Sequence, residues 1–183
     1  TSPSPDTQAS TPASSDAIQI EIGEISGKAG DKVKLPVYAK NVGEGFSALQ
    51  FDYDLDSSFT IKRGIKGDFE GSWTVGEKER SVQFLEQEGM NISGDGVIGK
   101  FEVEIPADAK EGTVYKFTIS NFEGAMVDSA TGKQTKLEGS KFAGIAGSIT
   151  VGDEVIDPTV EPTKSPDPTV EPTATETAKP TEI

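Results

Sequence analysis

The sequence predicts an all-β sandwich, and three observations carry that prediction. Short apolar-alternating runs follow one another from Ile18 to Val151, Gly, Asp and Asn turns separate them at near-regular spacing, and no helical periodicity competes. The clearest run is Phe46 to Asp54. Its Leu49, Phe51 and Tyr53 fall on one face and Ala48, Gln50 and Asp52 on the other, as a strand buried on one side requires.

The elements follow in order. Ile18 to Ile22 alternates, Gly27 to Gly30 turns the chain, and Val33 to Val37 continues with a proline at Pro36 that suits an edge or a bulge. Phe46 to Asp54 is the third strand. Phe59 to Ile65 and Gly71 to Val75 are shorter and interrupted by glycine, and Gly76 to Arg80 reads as a charged hairpin loop leading into Ser81 to Gln87. From Val97 to Ile105 the inward set is Val97, Gly99, Phe101, Val103 and Ile105, with Ile98, Lys100, Glu102 and Glu104 outward. Val114 to Phe122 buries Tyr115, Phe117 and Ile119, and Phe142 to Val151 closes the domain. Only Pro106 to Glu111 reads as a helix, and a very short one. Eight or nine such strands make a sandwich with one core over residues 17–152.

Composition changes at both ends. Residues 1–16 hold no large apolar side chain and predict a disordered linker, because such a segment cannot offset its chain entropy by burial. Residues 153–183 are rich in Pro, Thr and Glu, and the run Asp157 to Thr163 recurs as Asp167 to Thr173. Proline at this spacing predicts an extended spacer between modules.

The chain of 183 residues has no Cys and no His, so disulfides, thiolate metal sites, a Cys nucleophile and every Ser-His-Asp arrangement are excluded. Its formal charge of -14 disfavours nucleic acid and anionic membranes. No apolar run approaches the ~20 residues of a membrane span. A glycosidase would need two carboxylates across a cleft, for which Asp52, Asp54, Glu86 and Glu88 are the available acids; at strand ends such groups are ordinarily just solvated. The alternate acids Asp52, Asp54 and Asp56 suggest a cation site but lack the Gly and distal Glu of a calcium loop. Asn91 to Ser93 matches a glycosylation acceptor of eukaryotic secretory pathways. A carbohydrate-binding sandwich is the stronger alternative, yet Trp73 is the only Trp and Tyr38, Tyr53 and Tyr115 mostly take inward phases.

The ordered set Ile22 to Val37, Phe51 to Asp54, Gln83 to Leu85, Gly94 to Phe101 and Phe142 to Val151 resembles the cohesin family over residues 17–152, most closely its type I group. Cohesins are scaffoldin modules of bacterial cellulosomes. The resemblance implies a nine-stranded jelly-roll β-sandwich with no catalytic role. It further implies a secreted or cell-surface setting, a monomer when free, and docking of a dockerin borne by an enzyme or scaffold subunit. No cofactor or metal is implied for this chain, calcium belonging to the dockerin.

The family's docking face is the sheet of strands eight, three, six and five. Carried over, it comprises Ala48, Gln50 and Asp52 from strand three, and Gln83, Leu85, Gln87 and Glu88 from strand six, taken as Ser81 to Glu88. Met90 and Asn91 follow in the next turn, and Phe122 to Met126 supply the rim from strand eight, with Met126 a pliable contact. An exposed Leu85 ringed by amides and carboxylates suits an apolar anchor, and Asp52, Glu86 and Glu88 suit basic groups on the partner. The family's Asn and Asp pair of strand three falls near Phe46 and Ala48, neither of them polar here, which points to a different partner specificity.

Overall fold

Two sheets face each other across a shared apolar layer in the computed structural model, which describes residues 16–152. The linkers assigned to the two ends, including the Asp157 and Asp167 repeats, lie outside the described residues. In chain order the strands are β1 (Ile18–Ile22), β2 (Glu24–Gly27), β3 (Lys32–Lys40), β4 (Ala48–Asp54), β5 (Thr60–Lys66) and β6 (Ser72–Gly76). They continue as β7 (Ser81–Leu85), β8 (Gly96–Glu104), β9 (Val114–Val127), β10 (Gln134–Leu137), β11 (Phe142–Ile145) and β12 (Gly147–Val151). The back sheet runs β11-β1-β3-β8-β5, and the front sheet runs β2-β12-β9-β4-β7-β6, with β10 hydrogen-bonded to β9.

This is the expected jelly-roll sandwich, and the larger strand count has a simple origin. The first and last strands each change sheets midway: β1 pairs with β3 in the back sheet while β2 pairs with β12 in the front, and β11 and β12 divide in the same way. One further strand, β10, folds back on the end of β9. The first switch occurs at Gly23, whose N–H donates to the Pro36 carbonyl at 2.9 Å. Pro36 therefore lies in a central strand rather than at an edge, next to the bulge between Val37 and Tyr38.

That bulge corrects the phase of β8. Val37 is opposite Gly99 and Tyr38 opposite Val97, so Ile98 is the extra residue and is buried rather than outward. Residues 106–111 form no helix; the only helical turn among the described residues is the short 3-10 segment Gly139–Lys141. β4 begins at Ala48, later than expected, because Phe46 turns into the core against Phe84 and Phe142, with ring centroids 5.9 Å away in both cases. β7 ends at Leu85, so Gln87 and Glu88 lie in the following turn.

The layer between the sheets is aromatic. Phe46, Phe51, Phe84, Phe101 and Phe117 are fully buried, and Tyr53 stacks on Phe117 at 5.6 Å while meeting Phe101 edge-on at 5.4 Å. Each such ring removed from water contributes about 1.5–3 kcal/mol by transfer. Trp73 reaches across from β6 to lie on the backbone of Gly99 in β8, which explains a glycine in the middle of that strand. Gly99→Ala would place a methyl group inside the indole, so it is expected to destabilise the domain by about 1–3 kcal/mol through overpacking. Denaturant unfolding checks this, and an unchanged midpoint would contradict the packing described.

Candidate functional site

The front sheet brings β9, β4, β7 and β6 side by side in that order, and their outward residues form aligned rows. In the first row Lys136, Ala125, Ala48, Leu85 and Ser72 lie opposite one another from β10 to β6. The second holds Glu123, Gln50, Gln83 and Thr74, and the third Ser120, Asp52, Ser81 and Gly76. On the central strands the first row is thus small and apolar (Ala125, Ala48, Leu85), the second carries the amides Gln50 and Gln83 beside Glu123, and the third carries Ser120, Asp52 and Ser81. The inward partners Leu49, Phe51, Tyr53, Val82 and Phe84 are buried, so the strands themselves hold these rows outward.

The predicted residues Ala48, Gln50, Asp52, Gln83 and Leu85 are brought together on this face, in the phase expected. Leu85 is 47% exposed and Met90 57%, an unusual cost for large apolar side chains that have core available nearby. Gln87 and Glu88 are exposed in the turn beyond Leu85, where no strand register aligns them with the rows. Phe46 is absent from the face, being fully buried. Met126, one residue from Ala125, takes the other side of β9 and lines an open cavity of about 390 Å³ with Ile18, Val42 and Leu137.

The turn carrying Met90 is tied down from both sides. The Glu86 carboxylate accepts the Met90 N–H at 2.8 Å, and the Asn91 amide donates to the carbonyls of Glu44 at 3.2 Å and Val127 at 2.9 Å. The Asn91 carbonyl oxygen also accepts the Val127 N–H at 2.7 Å, so this side chain joins the turn to the end of β9. Asn91→Ala would leave the Val127 backbone short of partners, at a local cost of about 1–3 kcal/mol. Faster hydrogen exchange at the Val127 amide is the expected readout, and unchanged exchange would contradict it.

Within the Phe122 to Met126 stretch expected at the rim, Glu123 and Ala125 are the residues aligned with the rows, and Ser120 and Asn121 join the face without having been predicted. A bulge in β9 opposite Gln50 and Asp52 of β4, where Asn121 is left-handed (φ 53°), resets the alternation there. No period-two count started at Tyr115 survives that break. Asn121 then donates its amide to the Asp52 carboxylate at 2.8 Å.

The acids offered as a catalytic pair or cation site are engaged separately. Asp54 pairs with Arg80 at 2.6 Å, Asp52 accepts from Asn121, and Asp56 accepts the Ser58 hydroxyl at 2.6 Å, which with the Ser58 N–H lowers its carboxyl below the usual value. Among the described residues no group of three or more acids is arranged to hold a metal ion. The exposed large apolar residues there are Leu85, Met90, Val114 and Ile145, with no aromatic among them, and Trp73 is buried. A planar sugar-stacking row is therefore missing from the described residues, and the carbohydrate-binding alternative is not favoured.

Two sheets closed by strands that switch between them, each with its outer face open to solvent, define a jelly-roll module. The family model for the cohesin domain matches residues 18–151, and the chain belongs to that family. It is 31% identical over 113 residues to a cellulosome-anchoring protein of Acetivibrio thermocellus, a match covering 55% of this chain and 25% of that protein. Among solved structures, the seventh ScaB type I cohesin of Pseudobacteroides cellulosolvens superposes with a TM-score of 0.61 at 22% identity, over 76% of this chain and 94% of that one. The Coh-OlpA–Doc918 type I cohesin–dockerin complex of Clostridium thermocellum gives 0.59 at 26% identity, over 74% of this chain and 99% of the matched chain.

Proposed function

We propose that this chain is a non-catalytic docking module that binds a dockerin through the outer face of β9, β4, β7 and β6, within a secreted or cell-surface scaffold protein. The observation that carries the reading is the row Ala125–Ala48–Leu85: a large exposed aliphatic group beside two alanines, flanked by amides and acids. Such an arrangement seats an apolar partner side chain and surrounds it with polar contacts, the usual anatomy of a specific interface. Gln50, Gln83 and Asp52 supply donors and acceptors across the face. Glu88 and Gln87 extend it, Met90 adds a pliable apolar contact, and Asn91 and Glu86 hold Met90 in place. Ala48 stands near the position of the family's Asn and Asp pair, so the partner is one whose contact at that point is apolar.

Calcium enters this proposal as a requirement of the dockerin partner. Native gels of the full chain with dockerin-bearing proteins, run with calcium and with chelator, test the reading. A calcium-dependent shift is expected with at least one dockerin class. No shift with any class would overturn it.

A further inference from the structure

The two sheets carry opposite charge on their outer faces. On the back sheet, Lys32, Lys34, Lys40, Lys62, Arg63 and Lys100 point outward against Glu21, Glu102 and Glu104, a surplus of cations in a domain that is acidic as a whole. Strand register arranges them. Lys32 and Thr60 flank Glu104, Lys34 and Arg63 flank Glu102, and Pro36 and Ile65 flank Lys100. The β5 cations already hold the acids, Lys62 on Glu104 at 2.8 Å and Arg63 on Glu102 at 3.2 Å, while Glu21 pairs with Lys40 at 2.6 Å. Among the described residues Lys32, Lys34 and Lys100 form no salt bridge, Lys32 acting on Glu104 only at longer range, and the three cluster where β3 and β8 run side by side. The front face is the opposite: Glu24, Asp52, Asp54 and Glu123 outnumber Lys116 and Lys136.

The chain supplies a matching anion. Residues 153–183 hold eight acids, Asp153, Glu154, Asp157, Glu161, Asp167, Glu171, Glu176 and Glu182, against Lys164 and Lys179. They follow Gly152, whose N–H donates to the Gly27 carbonyl at 2.9 Å, beside the turn that leads directly into Lys32. β3 spans roughly 30 Å, and about ten residues of extended chain cover that distance. Asp157, Glu161 and the acids after them therefore reach Lys34 and Lys100 without strain on length.

We propose that the basic outer face of the back sheet is the docking surface for this chain's own acidic segment 153–183, with Lys32, Lys34 and Lys100 as its principal contacts. Repulsion from the front sheet and attraction to the back sheet act in the same direction, so the segment is drawn to the side opposite Leu85. The contact is electrostatic and exposed, hence strongly screened by salt.

Zero-length carbodiimide cross-linking of the full chain, at about 20 mM and about 0.5 M salt, reads this directly. Mixing isotopically labelled and unlabelled chains separates links within a chain from links between chains. Links from Lys32, Lys34 or Lys100 to Asp157, Glu161, Asp167 or Glu171 are expected within one chain, falling several-fold at the higher salt. Links spread equally over Lys110, Lys116 and Lys133, or formed only between chains, would overturn the proposal. The triple variant Lys32→Gln, Lys34→Gln, Lys100→Gln gives a second reading by small-angle scattering. At low salt its radius of gyration is expected to rise to the high-salt value of the unaltered chain, with its unfolding midpoint retained; an unchanged radius counts against the contact. Neither result depends on whether a dockerin binds.

Discussion

Leu85→Glu is expected to weaken dockerin binding by roughly 30- to 1,000-fold, the range in which loss of a central anchor falls. Leu85 lies at the end of β7 with nearly half its surface in water, so the substituted carboxylate meets no penalty in the free protein. In a complex it would lie against Ala48 and a desolvated partner surface with no cation supplied for it, and an unpaired buried charge is the costliest kind of mismatch. The unfolding midpoint is expected to stay where it is. Titration calorimetry and thermal unfolding, run on the same preparation, separate the two effects, and retained tight binding would move the contact away from this row.

Phe84→Ala, one residue earlier, is expected to do the reverse. Phe84 points inward, is fully buried, and meets Phe46 edge-on at 5.9 Å beneath the same face. Its removal deletes a ring from a close-packed layer and leaves a cavity, for an expected loss of about 3–5 kcal/mol and a fall in Tm of about 10–20 °C. Binding by the fraction still folded should change far less than with Leu85→Glu. A stability loss below about 1 kcal/mol would contradict the depth of burial assigned to Phe84.

The adjacent pair also shows what was legible in the sequence. Strict alternation through Leu49, Phe51 and Tyr53, and through Val82 and Phe84, places every inward and outward residue of β4 and β7 correctly, because period two is a direct consequence of strand geometry. Alternation fails wherever the ladder slips. Ile98 is buried because it is itself the extra residue of a bulge in β8, and Glu123 and Ala125 reach the face only because Asn121 takes a left-handed turn within β9. Phe46 looked like part of the strand, yet the structure uses it as a plug under the strand's first residues. The change of sheets at Gly23 left no mark that hydropathy registers, and the sorting of charge between the sheets became visible only with cross-strand register.

Register also gives Ala48 its meaning. The sequence shows only an apolar residue near where the family carries a polar pair, whereas the sheet sets Ala48 between Ala125 and Leu85 and makes the departure a patch three strands wide. A partner that reads this patch has to present an apolar group there, beside basic or hydrogen-bonding groups for Asp52 and Glu123. On the proposed docking reading, partner choice follows from this row more than from any carboxylate.

Backbone amide chemical-shift mapping of the labelled chain, titrated with a calcium-loaded dockerin, tests the central assignment most directly. Perturbations are expected to concentrate at Ala48, Gln50, Asp52, Gln83, Leu85, Met90 and Ala125, with the back-sheet residues Lys34, Lys100 and Glu102 unmoved. Perturbations centred on the back sheet, with Leu85 and Ala48 silent, would contradict it.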